Sequence, residues 1–169
     1  MKKIITSLLA LIFLSSGCSN SSTNKSEVKS PSDILVENKV VSYYDNPDVY
    51  KNNGFSVEEK ALNSSKSKSN NVFVNKDGKV RCITILEDTV STYKNISVGT
   101  SVSEIENAFK YENGTTETYA VLFNGNVEVN PKDTTLKKED GFIWVNYFID
   151  NNVVTKIQIF DALFAKTAQ

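Results

Sequence analysis

The chain of 169 residues contains no histidine, and it has only two cysteines, three prolines and one arginine. The absence of histidine excludes Ser-His-Asp and Cys-His catalysis and the common histidine-containing zinc sites. Because Cys18 belongs to an N-terminal processing signal, Cys82 has no partner for an internal disulfide. The fold must therefore depend on its hydrophobic core, and no metal or other cofactor is expected.

Acidic side chains are the catalytic candidates that remain. Those considered for a carboxylate pair are Glu87, Asp88, Glu104, Glu128 and Asp161. Most of them are accounted for by helix starts, strand ends or solvated loops, so their presence alone does not indicate hydrolysis. Asp45, Asn46 and Asp48 lack the glycine and bidentate glutamate of a calcium loop, which favours a turn. Ser-Lys pairs in residues 65–68 lie in a polar loop that offers no burial to lower a lysine pKa.

The first 17 residues have the composition of a processing signal. Lys2 and Lys3 supply positive charge, residues 4–14 form an apolar run too short for a bilayer-spanning helix, and residues 15–18 read Ser-Ser-Gly-Cys. This segment resembles a bacterial lipoprotein signal, which implies cleavage before Cys18 and lipidation of that cysteine. The alternative is an ordinary secretory signal that is cleaved near Gly17.

Residues 18–32 are predicted to form the lipidated N-terminus and a flexible tether, because short polar side chains dominate them. Removal of residues 1–17 leaves 17 basic and 20 acidic side chains, so we expect no nucleic-acid partner. The frequent asparagine and lysine indicate an AT-rich coding sequence, and hence a Gram-positive bacterium. We therefore expect the chain on the outer face of the cytoplasmic membrane, anchored there by its N-terminal lipid.

Two hairpins and one helix are the clearest predicted elements. The densest apolar block, residues 141–161, consists of two β-branched and aromatic runs joined at residues 150–152. A second hairpin is predicted over residues 72–87 with a turn at 75–78, and a further strand over 119–123. Ser101 and Glu104 have capping-box spacing at the start of a helix that places Val102, Ile105 and Phe109 on one face. Weaker helix signals occur after Pro31 and over residues 57–62, and residues 40–50 are predicted to be extended chain broken by a turn.

The two hairpins align with each other. Residues 74–87 match residues 148–161 without a gap, most clearly Val80 with Val154, Ile83 with Ile157, Ile85 with Ile159 and Glu87 with Asp161. This spacing predicts an α+β fold of two tandem helix-plus-antiparallel-sheet units, residues 33–90 and 96–165. The alternative is that any two amphipathic hairpins align over such a distance.

Residues 96–109, ISVGTSVSEIENAF, together with the strand sequence NNVVTKIQI carry a resemblance to known families. The pattern resembles small α/β lipoproteins of the SmpA/OmlA type and the β-lactamase inhibitor protein. In those families a turn of the form G-x-S/T opens a helix that packs on an antiparallel sheet. The inhibitor protein is itself a tandem duplication. The resemblance implies a non-catalytic role. The assembly function of the SmpA/OmlA-type lipoproteins at an outer membrane would not apply to a protein of a Gram-positive bacterium.

Alternation along residues 142–149 predicts one aliphatic and one aromatic side of the strand. Ile143, Val145, Tyr147 and Ile149 would face the core. Phe142, Trp144, Asn146 and Phe148 would lie on the other side. Their three aromatic side chains would form an exposed strip, and this side would bind a protein or cell-wall partner. The alternative is that the first unit or residues 162–165 cover this strip. We therefore expect a non-catalytic surface lipoprotein that binds through its sheet, with a cell-envelope hydrolase using a carboxylate pair as the alternative. A solute-binding lipoprotein is disfavoured, because it needs two larger lobes.

Overall fold

The computed structural model describes residues 27–59, 68–111, 113–133, 141–161 and 164. These residues form an α+β fold that is mostly sheet. The strands are β1 (Asp33–Val36), β2 (Lys39–Ser42), β3 (Ser56–Glu58), β4 (Asn71–Val74), β5 (Val80–Ile85), β6 (Val90–Ser91), β7 (Thr118–Asn124), β8 (Val127–Val129), β9 (Phe142–Asp150) and β10 (Val153–Asp161). The helices are α1 (Pro47–Asn52) and α2 (Val102–Ala108), and Tyr93–Asn95 forms a 3-10 turn.

The larger layer is a seven-stranded sheet with the strand order β3-β4-β5-β10-β9-β7-β8. Every neighbouring pair is antiparallel except β3 with β4, which is parallel. The pairing of β5 with β10 joins the two predicted hairpins directly at the centre. The sheet is therefore continuous across the two units predicted from the sequence.

The second layer consists of a three-stranded sheet, β2-β1-β6, and the two helices. It packs on one side of the large sheet, which we call the core face. Side chains of both layers form one contiguous hydrophobic cluster, with Tyr43, Tyr50 and Ile105 from the second layer and Val145 and Ile157 from the large sheet all buried. The other side of the large sheet is called the outer face.

The turn between β9 and β10 explains why the densest apolar block folds as a hairpin. Asn151 and Asn152 both have positive φ angles, 51° and 64°. Asparagine tolerates this left-handed region better than most residues, and two such residues form the turn type that matches the twist of antiparallel strands. The predicted hairpins over β4–β5 and β9–β10 and the predicted strand β7 are all confirmed.

Helix α2 is confirmed together with its capping box. The Ser101 side chain accepts a hydrogen bond from the Glu104 backbone N–H, and the Glu104 carboxylate accepts one from the Ser101 N–H. The segment before the helix is attached to β10, because the Gly99 N–H donates to the Val154 carbonyl oxygen at 2.8 Å. Phe109 is the C-cap residue of the helix. Its ring stacks on the Tyr147 ring with the two centroids 5.8 Å apart.

Two weaker helix predictions were wrong where the structure describes them. Residues 56–58 form β3 rather than the start of a helix, because their backbone pairs in parallel with Asn71–Phe73 of β4; residues 60–62 lie outside the described chain. The segment after Pro31 forms β1, which ends in a turn where Glu37 and Asn38 both have positive φ. Conversely, the turn predicted around Asn46 begins α1, with Asn46 as its N-cap and Pro47 in the first turn.

The packed part of the chain begins before Asp33, the predicted start of the first unit. Val28 is only 2% exposed, and the Ser30 hydroxyl donates to the Asn126 side-chain oxygen at 3.0 Å. The C-terminal part of the predicted tether therefore contacts the folded body. Cys18 and the processing signal lie outside the described residues.

Candidate functional site

Strand β9 divides its side chains as the alternation predicts. Ile143, Val145 and Tyr147 are buried on the core face, with Ile149 partly buried beside them. Phe142, Trp144, Asn146 and Phe148 lie on the outer face. The expectation of an exposed aromatic strip was wrong for Phe142, which is only 7% exposed. Trp144, Asn146 and Phe148 are half-buried.

A row of apolar side chains crosses the outer face at the level of Trp144. Phe142, Leu122, Trp144 and Val129 form a small hydrophobic cluster separate from the main core. Cross-strand pairing extends this row over six neighbouring strands in the order Phe73, Cys82, Phe160, Trp144, Leu122 and Val129. The row presents three aromatic side chains, contributed by β4, β10 and β9.

Phe164 lies on one part of this row. Its backbone N–H donates to the Asp161 carboxylate at 2.8 Å, and its ring lies 5.4 Å from the Phe73 ring and 5.9 Å from the Phe160 ring. These contacts cover Phe73 and Phe160, which belong to the apolar row but not to the strip predicted on β9. Residues 162, 163 and 165 lie outside the described residues.

A polar row runs beside the apolar row. It consists of Asn71, Thr84, Gln158 and Asn146, which are cross-strand neighbours on β4, β5, β10 and β9. The Gln158 amide donates to the Thr84 hydroxyl at 3.4 Å. The Oδ1 atom of Asn146 is buried and accepts no hydrogen bond from any described residue. Such an orphaned acceptor is uncommon in folded proteins and calls for an explanation.

Phe148 continues the outer face toward the β9–β10 turn. The Lys156 ammonium group lies 3.6 Å from the centroid of the Phe148 ring, in cation–π contact. Burial lowers the pKa of Lys156 below its ordinary value. The aromatic strip therefore ends in a partly desolvated positive charge.

A cleft of about 670 Å³ lies where the core face ends, between residues 43–47 and the ends of β5, β9 and β10. Sequence reasoning missed this cleft because its lining comes from four distant segments of the chain. The residues that give it chemical character are Tyr43, Tyr44, Asp45, Lys79, Arg81 and Asp161. The single arginine was the one available signal.

Asp161 holds this cleft together. Its carboxylate forms an ion pair with Arg81, with Oδ2 2.6 Å from Nη1, and its backbone N–H donates to the Tyr43 hydroxyl at 3.2 Å. Burial raises the pKa of Tyr43 far above its ordinary value, and the nearby Asp161 carboxylate adds to that rise. The Tyr43 hydroxyl therefore stays protonated at physiological pH.

Four of the five carboxylates considered for hydrolysis have separate structural contacts, and the fifth, Asp88, is exposed next to Glu87. Asp161 is paired with Arg81, and Glu104 caps α2. The Glu128 carboxylate accepts the backbone N–H groups of Lys110 and Tyr111 at 2.7 and 2.8 Å. Glu87 and Asp88 follow β5, where Glu87 accepts a hydrogen bond from the Asn70 amide. Each contact explains its carboxylate structurally.

The other chemical candidates have structural roles where they are described. Asn46 and Asp48 belong to the start of α1, where Asp48 forms an ion pair with Lys51. No cluster of three or more potential metal ligands occurs among the described residues. Cys82 is buried on β5, as expected for a small strand residue, and burial raises its thiol pKa to about 12. Of the two Ser-Lys pairs in residues 65–68, only Lys68 is described, and it is exposed; residues 65–67 lie outside the described chain.

Neither helix in the described part of the chain is long and apolar enough to cross a bilayer. Comparison with known proteins gives no assignment: no protein-family model, curated protein or solved structure matches this chain.

Proposed function

We propose that this chain is a non-catalytic, lipid-anchored protein that binds a protein partner through the outer face of its seven-stranded sheet. The proposed anchor is Cys18, supported by the lipoprotein-like signal around it. This anchor would hold the chain on the outer face of the cytoplasmic membrane.

The orphaned acceptor of Asn146 carries the proposal. Its Oδ1 atom is buried and accepts no hydrogen bond from the described residues, although it lies in the middle of the outer face. Leaving a buried polar group unpaired destabilises the folded chain by roughly 1–3 kcal/mol. The fold itself gains nothing from this unpaired oxygen. Asn146 as a residue is only half-buried, so a rotation of its amide would bring this oxygen within reach of a partner donor, and the new hydrogen bond would recover that free energy.

The composition of the outer face supports a protein partner. Protein interfaces combine an apolar, aromatic-rich centre with a polar rim, and their binding free energy is concentrated in a few anchors. Here the anchors would be Trp144 and Phe148, with Asn146 between them and Gln158 on the neighbouring strand. Phe142 would support Trp144, since both belong to the same small hydrophobic cluster.

The hydrolase alternative has less support. A carboxylate pair acts on a glycosidic bond only when both groups face one substrate site. Asp45 and Asp161 line the same cleft, but the Asp45 carboxylate accepts the Ser42 N–H at 2.8 Å and Asp161 is paired with Arg81. Both are thus engaged in holding the cleft walls.

The tandem-unit proposal draws support from the pairing of β5 with β10. Thr84 and Gln158 occupy equivalent positions in the proposed repeat and lie opposite each other. The flanking pairs are symmetric too, Ile83 with Ile159 and Ile85 with Ile157. A duplicated unit of the kind seen in the β-lactamase inhibitor protein would produce such a junction, and it would give the outer face a binding role by analogy.

The experiment separates binding from folding by means of Asn146→Leu. Leucine has a similar size and no polar atom, so the thermal midpoint should stay unchanged or rise if Oδ1 is orphaned in the free chain. A photo-crosslinking amino acid at position 148, in intact cells of the native host, should yield one discrete adduct. Asn146→Leu should lower its yield at least about fivefold, which corresponds to about 1 kcal/mol.

The matched control carries the crosslinker at position 40, which is 45% exposed on the second layer. Equal adducts from positions 40 and 148 would contradict the proposal. So would a fall in thermal stability with Asn146→Leu, because it would assign the amide a structural role.

A further inference from the structure

We infer that the cleft between residues 43–47 and the ends of β5, β9 and β10 binds a neutral sugar ring of a glycan. Phe142 of the outer face contributes to the lining of this cleft, but the argument does not depend on the proposed protein partner. The volume of about 670 Å³ falls within the range of small-ligand sites.

The charges around the cleft favour a ligand without net charge. Among the described residues that line it, two are cationic, Lys79 and Arg81, and two are anionic, Asp45 and Asp161. Arg81 and Asp161 are joined at 2.6 Å, and Asp45 is held by the Ser42 backbone N–H. An anionic ligand would meet both carboxylates and a cationic ligand would meet both cations. A polyhydroxylated neutral ligand can donate to the carboxylates and accept from the cations.

Tyr44 supplies the apolar surface that a sugar needs. Its side chain is 71% exposed, the largest exposure among the large hydrophobic residues described, and it lines the cleft. Its ring packs edge-on against the buried Tyr43 ring, with centroids 5.4 Å apart and planes at 79°. A pyranose ring has an apolar C–H face and hydroxyl groups at its edge, so it can stack on Tyr44 while its hydroxyls reach the charged residues.

The rigidity of the cleft also fits a preformed site. Tyr43 is 2% exposed and its hydroxyl accepts the Asp161 N–H, so the strand end and the 43–47 segment are fixed relative to each other. Pro47 on the same wall begins α1, whose Tyr50 hydroxyl donates to the Ser42 carbonyl oxygen at 2.8 Å. Little ordering is needed on binding, which favours measurable affinity for a small ligand.

The test uses the full chain with three neutral probes, chitotetraose, maltotetraose and cellotetraose, and one anionic probe, trigalacturonate. Saturation-transfer NMR should show at least one neutral probe bound through its C–H protons, and titration calorimetry gives the affinity. Tyr44→Ala should weaken that binding about tenfold, as loss of a stacking contact predicts. Because the ligand is neutral, raising salt from about 0.05 M to about 0.5 M should leave the affinity unchanged.

Val127→Ala is the matched control, since Val127 is 65% exposed at the edge strand β8 and does not line the cleft. Tyr44 is largely exposed, so its removal should not prevent folding. Absence of binding by all three neutral probes, unchanged binding in Tyr44→Ala, or tighter binding of trigalacturonate would each overturn the inference. Asn146→Leu should leave sugar binding intact, which separates this site from the outer face.

Discussion

At the scale of single residues, the buried tyrosine hydroxyl groups of the core differ in whether they form a hydrogen bond. Tyr50 is fully buried and donates its hydroxyl proton to the Ser42 carbonyl oxygen. Tyr147 is also fully buried, but its hydroxyl makes no hydrogen bond of normal geometry to a described residue. Burial raises the pKa of this hydroxyl above its ordinary value. The nearby Thr92 hydroxyl donates its own proton to the Ile96 carbonyl oxygen. The Tyr50 hydroxyl thus stabilises the fold through a hydrogen bond, whereas the equally buried Tyr147 hydroxyl does not.

We predict that Tyr147→Phe leaves the free energy of unfolding unchanged or raises it, because it removes a buried polar atom that lacks a partner. Tyr50→Phe is the matched control and should cost about 1 kcal/mol through loss of a satisfied hydrogen bond. Urea denaturation of both variants measures the difference. A loss of stability in Tyr147→Phe equal to that in Tyr50→Phe would show that the Tyr147 hydroxyl is paired.

The Cys82 thiol should resist modification in the folded chain. The thiolate is the reactive species, and burial raises the thiol pKa to about 12, so little thiolate forms at neutral pH. With Cys18 replaced by serine, Cys82 is the only thiol, and iodoacetamide should label it only as fast as the chain unfolds. Rapid labelling without denaturant would mean that β5 is accessible in the native state.

At the scale of elements, the sequence predicted those helices and hairpins whose cap or turn residues lie within a few positions of them. Asn151 and Asn152 set the β9–β10 hairpin, and Ser101 with Glu104 set the start of α2, so both could be predicted. Strand β3 was missed because Ser56 and Glu59 have the same spacing as a capping box. Only pairing with the distant β4 shows that this segment is extended. Asn46-Pro47 is ambiguous in the same way, since it suits both a turn and a helix start.

The capping box of α2 predicts a stability that depends on pH. Hydrogen bonds from Ser101 hold the pKa of Glu104 below its ordinary value of 4.5. A carboxylate whose pKa is lowered by folding stabilises the folded state. This stabilisation is fully present above the unfolded-state pKa and is lost as the pH falls through the folded-state pKa. Glu104→Gln should therefore destabilise the chain at neutral pH, and the difference should shrink below about pH 4.5.

Urea midpoints across a pH series measure this effect, with Glu106→Gln, exposed on the same helix, as the control for loss of a charge. Ser101→Ala should lower stability by about 1 kcal/mol at neutral pH. A destabilisation by Glu104→Gln that stays the same down to about pH 3 would contradict the assignment of its carboxylate to the cap.

At the scale of the whole molecule, the two layers share one core. The sequence predicted an α+β fold with two hairpins and the sides of β9, but it did not predict the three-stranded sheet that covers the core face. That sheet depends on pairing between β1 and β6, which are separated by the whole first hairpin. The cleft was missed for the same reason, because Tyr44, Arg81 and Asp161 meet only after both layers have assembled.

We predict a single cooperative unfolding transition. Ile83 belongs to the first proposed unit and Trp144 to the second, yet the core and the sheet run through both. Ile83→Ala should cost about 2–5 kcal/mol and shift the unfolding midpoint measured by Trp144 fluorescence and by circular dichroism equally. Val40→Ala, on an exposed position, should change stability by less than about 0.5 kcal/mol. Two separate transitions would show independently folding units.

The central position of β10 has a consequence for the order in which the chain folds. Strand β10 is the last strand of the described chain, and it joins the β3-β4-β5 group to the β9-β7-β8 group. Until it is in place, β5 and β9 each present an unpaired edge that another copy can pair with. During synthesis from the N-terminus, β5 and β9 both stay unpaired at this edge until β10 has been made and has docked. Variants that slow the docking of β10 should therefore aggregate more than their equilibrium stability predicts.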